Sequence, residues 1–248
     1  MTPPRLSVVI PAYREGKAAG VAVTRMRAEL APVAEAGGLE IVVVDDGSPD
    51  DTADQARAAG ADTVLRNPVN RGKGAAVREG VLAASGRCIG YTDADLSYDP
   101  AQIIRLLEVA EGGADMVAGS RRHVDTTTLV RARRLREVSG RAFNIATRWL
   151  LLGEERDTQC GLKVFRADAA RTLFRLQRID GFAFDVELFF LAARLGMSVV
   201  EVPVTVAHTT RSSVEIGGDA ARMLRDLLRI RRLASKGVYP VPRPAPVS

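Results

Sequence analysis

The chain has 248 residues, of which 46% are hydrophobic and 26% charged, and its 35 Lys and Arg against 30 Asp and Glu give a formal net charge of +5. This apolar content excludes a disordered chain, two cysteines exclude a disulfide scaffold, and the length suits one large α/β domain or two small ones. The sequence contains no run of 18 apolar residues, so it predicts no membrane-spanning helix. Its first residues lack the pattern of a signal peptide. We therefore expect a cytoplasmic protein.

The positive charge is concentrated in two segments. Residues 121–148 hold eight Arg against two acids, and residues 222–236 hold five Arg and one Lys against one Asp, so the rest of the chain is net acidic. Basic segments suit nucleic acid, a membrane surface or a phosphorylated ligand. No known nucleic-acid-binding module accompanies them, so we do not expect nucleic acid as a partner.

Short apolar runs alternate with helical patterns through residues 6–119. The strands are predicted at 6–10, 40–44, 62–66, 87–92 and 115–119, and the helices near 15–36, 50–59, 73–85 and 100–111. Strands that are apolar almost throughout and separated by helices indicate an α/β fold with a mostly parallel sheet covered on both faces. Ligands of such sheets bind beyond the carboxyl ends of the strands, so polar residues there are the candidates for a site.

The pattern changes after residue 120. Residues 121–134 are rich in Arg and Thr and are expected to be mobile. Further helices are predicted near 135–152, 168–176, 183–195 and 218–234, with a β-rich segment at 198–208. The segment 238–248 has four prolines in eleven positions, so we expect it to be disordered.

Two carboxylates follow the predicted strand at 87–92. Asp93 and Asp95, separated by Ala94, can converge on a hard cation such as Mg²⁺ or Mn²⁺, which proteins bind through one or two carboxylates plus substrate phosphates. An isolated Asp-X-Asp sequence is more often a solvated turn. Its position after a buried strand, in a sheet with other acidic strand ends, favours a metal site.

The predicted strand at 40–44 also ends in carboxylates. Asp45 and Asp46 precede a Gly-Ser-Pro-Asp turn, and a carboxylate at this place can accept hydrogen bonds from a nucleotide base or ribose. Asp50 and Asp51 lie at the start of the next predicted helix, where capping of that helix is the simplest role.

A basic, glycine-rich segment, NRGKGAAVREG at residues 70–80, opens the next helical pattern. It does not match a Walker phosphate loop, because Gly74 rather than Ser or Thr follows Lys73. It does not match the dinucleotide fingerprint either, because Val77 stands at the third glycine position. A basic helix N-terminus still suits a phosphate group, and a plain turning loop explains the glycines equally well.

Other chemistries lack their residues in this sequence. The sequence has no Gly-X-Ser-X-Gly motif, and His123 and His208 are its only histidines, so a Ser-His-Asp triad has no support. Cys88 and Cys160 are far apart and no Cys-X-X-Cys motif is present, which excludes the usual zinc and dithiol motifs.

Together these segments resemble family 2 glycosyltransferases with the GT-A fold. The resemblance follows the family's order over about residues 6–235. It is carried by SVVIPAYRE (7–15), IVVVDDGSPDDT (41–52), NRGKGAAVREG (70–80), YTDADLSYDP (91–100), GSRR (119–122), RDTQCGLKVF (156–165) and FAFDVELFFLAARLG (182–196). Within the family, the chain is most similar to the polyprenyl-phosphate sugar synthases, and the last two segments are similar to the dolichyl-phosphate β-glucosyltransferase branch.

The resemblance implies one GT-A domain over residues 1–237, with a nucleotide-sugar half at about 1–120 and an acceptor half at 121–237. It implies inverting transfer of a hexose, expected to be glucose from UDP-glucose, to a polyprenyl phosphate, with Mg²⁺ or Mn²⁺ as cofactor. GDP-mannose as donor, or a soluble acceptor, is the alternative within the family. A nucleotide-sugar-binding or nucleic-acid-binding protein is the alternative without catalysis.

The resemblance also implies roles for individual residues. Asp93 and Asp95 would hold the metal, and the catalytic residues would be Asp95, Arg121 and Asp157. Arg121 would contact a phosphate, and Asp157 would either act as a general base or orient an arginine. The nucleotide-binding residues would be Pro11, Ala12, Tyr13, Glu15, Asp45, Asp46, Arg71, Lys73, Asp93 and Ala94.

Three more charged residues lie in the matching segments. Lys163 either reaches a phosphate or is a solvated strand residue. Asp185 and Glu187 lie in an otherwise apolar helical pattern, where acids usually pair with buried arginines, although the family's FDVEL segment also suits the edge of an active site.

Contact with a membrane would have to come from peripheral helices. Residues 217–237 place Met and Leu near one face with Arg beside it, a pattern typical of a cationic helix at an anionic membrane. The same apolar face suits packing on the domain or on a second copy, so homo-oligomerisation stays open. Residues 121–148 would form an acceptor loop and a second interfacial helix. We expect a peripheral protein at the inner face of the membrane.

Overall fold

The computed structural model describes residues 2–121, 157–206 and 218–240. Within these ranges the chain forms seven strands and eight helices. The strands are β1 (Leu6–Ala12), β2 (Leu39–Asp45), β3 (Thr63–Arg66), β4 (Cys88–Tyr91), β5 (Met116–Ser120), β6 (Lys163–Arg166) and β7 (Val199–Pro203). The helices are α1 (Gly16–Glu29), α2 (Ala31–Glu35), α3 (Thr52–Ala58), α4 (Lys73–Ala83), α5 (Gln102–Glu111), α6 (Ala167–Leu176), α7 (Phe184–Leu195) and α8 (Gly218–Ser235).

The seven strands form one mixed sheet in the order β3-β2-β1-β4-β6-β5-β7. Every pairing is parallel except those of β6, which runs antiparallel to both β4 and β5. In this register Lys163, the first residue of β6, lies opposite Tyr91 at the end of β4 and Ala118 in β5. The start of β6 therefore lies at the same edge of the sheet as the ends of the parallel strands.

Helices cover both faces of the sheet, which explains why the strands are apolar almost throughout. In β1, Val8 and Ile10 belong to one core together with Met26 of α1. Val9 points to the other face and belongs to a second core with Val77 of α4. Since alternate residues of a strand face opposite sides, both sets must be apolar when both sides are covered. The five strands and the α/β class predicted from residues 6–119 are confirmed.

Two local details differ from the sequence prediction. The single helix predicted near 15–36 is divided into α1 and α2, and Pro32 lies in the first turn of α2, where its missing N–H costs nothing. Strand β6 was not predicted, because four residues bounded by other elements give little periodic signal.

The folded part of the chain extends beyond residue 237. Disorder was predicted for residues 238–248, but the Tyr239 side chain is 2% exposed, donates a hydrogen bond to Glu187 and packs edge-on against Phe190. Arg194 Nε also donates to the Pro240 carbonyl at 2.7 Å. An aromatic ring and these polar contacts outweigh the effect of neighbouring prolines. Residues 241–248 lie outside the described residues.

Helix α8 has one side on the domain and another in solvent. Met223, Leu227 and Ile230 are buried, so most of the predicted apolar face packs on the domain. Leu224 and Leu228 are 46% and 53% exposed. Within the described ranges, no helix is both long and apolar enough to cross a bilayer. The interfacial helix and acceptor loop predicted within residues 121–148 lie, apart from Arg121, outside the described residues.

Candidate functional site

One edge of the sheet gathers most of the residues singled out from the sequence. Asp45 ends β2, Ala12 ends β1, Asp93 lies two residues after the end of β4, and Arg121 directly follows β5. Because these strands are parallel, their carboxyl ends lie at one edge, where open α/β sheets bind ligands. The start of β6 contributes Lys163 to the same edge.

The segment after β1 is tied to the turn after β2. The Arg14 amide donates to Ser48 Oγ at 2.9 Å, and the Glu15 amide donates to Thr52 Oγ1 at 3.1 Å. Arg14 adopts φ 57°, and its guanidinium lies 5.1 Å from the centre of the Tyr13 ring, which is partly exposed. Pro11, Ala12, Tyr13 and Glu15 thus border one side of the strand edge.

Asp45 contacts two residues that line an open cavity at the end of β2. Its side chain is fully buried, and Oδ1 accepts a hydrogen bond from the Ser48 amide at 2.9 Å. Oδ2 lies 3.3 Å from Arg66 Nε but accepts no hydrogen bond among the described residues. The adjacent cavity has a volume of about 390 Å³ and is lined by Gly47, Ser48, Arg66, Asn67 and Pro68. Asp45 therefore reaches the cavity through its contacts with Ser48 and Arg66, which both line it.

Asp46 has a different environment from Asp45. Its carboxylate accepts hydrogen bonds from Asn67 Nδ2 and from the amides of Arg71 and Gly72, at 2.7 to 3.1 Å. The side chain is 3% exposed. The structure therefore uses Asp46 to hold the segment before α4, whereas the sequence pattern alone suggested direct contact with a nucleotide.

Lys73 and Asp93 form an ion pair between the first turn of α4 and the end of β4. Burial opposes the charge of Lys73, but Asp93, Asp185 and Asp95 outweigh this effect and raise its pKa. The other side of Asp93 meets Gly161, where an added Cβ would overlap Asp93 Oδ2. Lys73, Asp93 and the turn before β6 therefore come together at the centre of the edge, and Lys73 stays a cation.

Asp95 is exposed, and its carboxylate accepts hydrogen bonds from the amide and hydroxyl of Ser97 within its own turn. Asp93 and Asp95 offer the hard oxygen donors that suit Mg²⁺ or Mn²⁺ and would leave other coordination positions for phosphate oxygens and water. No group of three His, Cys, Asp or Glu that could hold a metal occurs in the described part of the chain. A metal held by Asp93 and Asp95 would therefore have to take its remaining ligands from a phosphorylated ligand and water.

Arg121 and Asp157 form a bidentate ion pair at the end of β5. Arg121 Nε and Nη2 donate to the two carboxylate oxygens at 2.7 and 2.8 Å, and the Arg121 amide donates to Oδ2 at 2.9 Å. Burial opposes ionisation of Asp157, but these hydrogen bonds and the charge of Arg121 outweigh it and lower its pKa. Asp157 is fully buried, while the Arg121 side chain is 42% exposed. Of the two roles implied by the resemblance, this geometry favours orientation of an arginine.

A buried ion pair lies at the start of β6. Lys163 Nζ donates to Asp185 Oδ1 at 2.7 Å and to the Cys160 carbonyl at 2.6 Å, and the Tyr91 hydroxyl donates to the same Asp185 oxygen. Lys163 is fully buried, so of the two alternatives drawn from the sequence, a solvated strand residue is excluded. Asp185 pairs with a lysine from β6 instead of an arginine, a contact that only the antiparallel insertion of this strand creates.

Several site residues were not found from the sequence. Arg66 at the cavity, Tyr91 beneath the site and Gly161 against Asp93 acquire their roles through contacts between distant segments. For Gly161, the only sequence signal of a role in the site was its position next to Cys160 in a segment that matches the family. The Arg71 side chain is half-exposed, and its Nη1 lies 3.8 Å from Glu79 Oε2.

The chain is similar to known proteins along most of its length. The family model described as Glycosyl transferase family 2 matches residues 7–174. Dolichyl-phosphate beta-glucosyltransferase of Dictyostelium discoideum is 31% identical over 213 residues, which cover 82% of this chain and 65% of the relative. The protein of the same name from Drosophila melanogaster is 33% identical over 242 residues, which cover 91% of this chain and 74% of the relative.

Solved structures show the same fold. Glucosyl-3-phosphoglycerate synthase of Mycobacterium tuberculosis, in complex with Mn²⁺, UDP and glucosyl-3-phosphoglycerate, superposes with a TM-score of 0.67. The two chains are 24% identical, and the superposition covers 92% of this chain and 80% of the other. This likeness shows a GT-A-like fold, and the family model with the sequence relatives shows the family. The chain belongs to glycosyltransferase family 2.

Proposed function

We propose that the protein transfers glucose from UDP-glucose to a polyprenyl phosphate, with inversion at the anomeric carbon. The order of polar groups along the sheet edge carries this proposal. The cavity with Asp45 and Arg66 lies at β2, the Lys73–Asp93 pair at β4 and the Arg121–Asp157 pair at β5. With strands about 4.8 Å apart, β4 and β5 are separated by roughly 10 Å, since only β6 lies between them.

This order suits a donor that extends from β2 to β4. The base would occupy the cavity lined by Ser48 and Arg66, which both contact Asp45, and the diphosphate would lie near Lys73. Asp93 and Asp95 would hold Mg²⁺ or Mn²⁺, whose charge would neutralise the diphosphate as the leaving group. Lys73 adds a fixed positive charge at the same place, where charge develops in the transition state.

The acceptor phosphate would lie on the other side, near Arg121. A phosphate monoester has a second pKa near 6, so its oxygen is already ionised at neutral pH and needs no strong base. This oxygen would attack the anomeric carbon while the bond from that carbon to the diphosphate oxygen breaks and UDP leaves. Asp157, whose pKa is lowered, would hold the Arg121 guanidinium toward the phosphate and take no proton.

The relatives named dolichyl-phosphate beta-glucosyltransferase support glucose and a polyprenyl phosphate as the substrates. The test is release of nucleoside diphosphate by the purified chain with Mn²⁺ or Mg²⁺, a polyprenyl phosphate and a panel of sugar nucleotides. We expect a glycolipid product and the highest rate with UDP-glucose. A higher rate with GDP-mannose than with UDP-glucose would contradict the proposed donor. A rate with a soluble acceptor equal to that with the polyprenyl phosphate would contradict the proposed acceptor.

We also propose that α8 rests on an anionic membrane surface, with the chain peripheral at the cytoplasmic face. Arg225, Arg229, Arg232 and Lys236 follow one another at helical spacing and are exposed, beside the exposed Leu224 and Leu228. This row points away from the buried residues of the helix. Apolar side chains beside a cationic row are the pattern of an interfacial helix. Both cysteines are free thiols, as is usual in a reducing compartment.

Replacing Arg225, Arg229 and Arg232 together with Gln should weaken sedimentation with vesicles that contain anionic lipid. At about 1 kcal/mol per basic residue, the partition coefficient should fall roughly 100-fold. The control replaces Arg57, Arg87 and Arg105, which are exposed elsewhere, with Gln and so changes the net charge equally. An equal loss in both triple variants would reject α8 as the contact surface.

A further inference from the structure

Glu187 is a buried carboxylate with three donors around it. Its two oxygens accept hydrogen bonds from the amides of Arg178 and Ile179, at 2.7 and 2.8 Å, and from the Tyr239 hydroxyl. The residue is fully buried in the first turn of α7. Burial alone would raise its pKa, and the three donors partly compensate. Glu187 thereby fixes the backbone of the loop formed by residues 177–181.

The loop 177–181 packs tightly against the first turn of α4. The Asp180 carbonyl accepts the Ala75 amide at 3.2 Å, and Gln177 Nε2 donates to the Gly74 carbonyl at 2.9 Å. A Cβ at Gly72, where φ is +104°, would lie 2.6 Å from the Asp180 oxygen. A Cβ at Gly74 would lie 2.7 Å from the Ile179 oxygen. The two glycines of the basic segment therefore serve this contact, because any side chain would push the loop away.

Asp46 holds the residues directly before the same turn of α4. That carboxylate accepts the amides of Arg71 and Gly72, directly before the helix begins. Lys73, the first residue of α4, therefore lies in a turn that the loop 177–181 and Asp46 hold in place. Its ammonium group makes the ion pair with Asp93.

We propose that Glu187 is a positioning residue, which holds the loop 177–181 against α4 and so sets the place of the Lys73 ammonium beside Asp93. The proposal rests on the proposed function, in which Lys73 stabilises the departing diphosphate. A displaced cation loses its effect on the transition state while the substrates still bind. The effect of Glu187 on turnover must then depend on Lys73.

Glu187→Gln keeps the size of the side chain but replaces one carboxylate oxygen with an NH₂ group. This group is a hydrogen-bond donor and would face the backbone N–H of Arg178 or Ile179, which is also a donor. Hydrogen exchange of the Ala75 amide should then become at least tenfold faster, because its acceptor, the Asp180 carbonyl, moves with the loop. Glu40→Gln is the matched control, since Glu40 accepts the Ser85 amide at 2.8 Å at the opposite edge of the sheet. There, exchange of Ser85 should accelerate while that of Ala75 stays unchanged.

The kinetic arm compares the Glu187→Gln, Lys73→Gln and double variants with saturating donor and acceptor. We expect kcat to fall about tenfold in Glu187→Gln with little change in the donor KM, since the lost interaction acts in the transition state. The double variant should be no slower than Lys73→Gln alone, whereas a role independent of Lys73 would multiply the two losses. Glu40→Gln should keep the kcat of the unmodified chain.

Unchanged exchange at Ala75, or multiplied losses in the double variant, would overturn the proposal. If Glu187→Gln does not fold, Gln177→Met removes the hydrogen bond to Gly74 and should give the same exchange and kinetic results. If the unmodified chain transfers no glucose, the proposed function fails. The exchange measurement then still decides whether Glu187 holds the first turn of α4.

Discussion

Asp95→Asn is expected to lower glucose transfer about 1,000-fold, a loss of roughly 4 kcal/mol of transition-state stabilisation. The substitution removes one of the two carboxylates that would hold the metal but preserves the size of the side chain. Asp95 is exposed and bonds only to Ser97 among the described contacts, so the free energy of unfolding should change by about 0.5 kcal/mol or less. The measurements are kcat/KM with UDP-glucose and a thermal melt.

Asp168→Asn is the matched control for this substitution. Asp168 is an exposed aspartate like Asp95, and it lies in the first turn of α6, where it pairs with Arg166 at 2.6 Å. Its side chain is 68% exposed, and it follows β6 at the edge opposite the candidate site. Activity should be retained in this variant. Full activity of Asp95→Asn would reject the assignment of Asp95 to the metal site.

Arg121→Lys is expected to lower kcat/KM for the polyprenyl phosphate roughly 10- to 100-fold with the KM for UDP-glucose unchanged. Lysine keeps the positive charge but cannot make two parallel hydrogen bonds to Asp157. The lysine ammonium group would then be held less rigidly beside the acceptor phosphate than the Arg121 guanidinium. Varying each substrate separately, at saturation of the other, distinguishes the two effects.

Arg66→Lys provides the reciprocal experiment at the other end of the site. Arg66 lines the cavity beside Asp45 and is half-exposed, so its replacement should raise the KM for the nucleotide sugar and leave the acceptor KM unchanged. Together, the two variants test the order of donor and acceptor along the sheet edge. A donor defect in Arg121→Lys with normal use of the acceptor would reverse the proposed arrangement.

The end of β2 shows which features of a binding site a local sequence pattern can predict and which it cannot. Two adjacent aspartates after an apolar strand predicted a binding position, and both lie at the ligand edge of the sheet. Their environments could not be separated from the sequence. Asp45 pairs with Arg66 at the cavity, whereas Asp46 holds the segment before α4. The donors to Asp46 come from residues more than 20 positions away.

The charged residues of the second half show the same limit more clearly. Lys163 and Asp185 carried no local sign of their pairing, since it depends on an antiparallel strand placed between β4 and β5. Tyr239 lies in a proline-rich segment whose composition predicts disorder. Its burial depends on Glu187 and Phe190, which belong to α7.

The sequence by itself determined the α/β class, the five strands of the first half and the Asp-X-Asp position after β4. These features depend on apolar runs and on residue order, which are local properties of a chain. Only the tertiary structure decided that Lys73 pairs with Asp93, that Asp157 pairs with Arg121 and that Glu187 bonds to the loop beside α4. Each of these contacts joins segments that the sheet topology brings together, and a buried charge acquires its role from whichever partner the fold supplies.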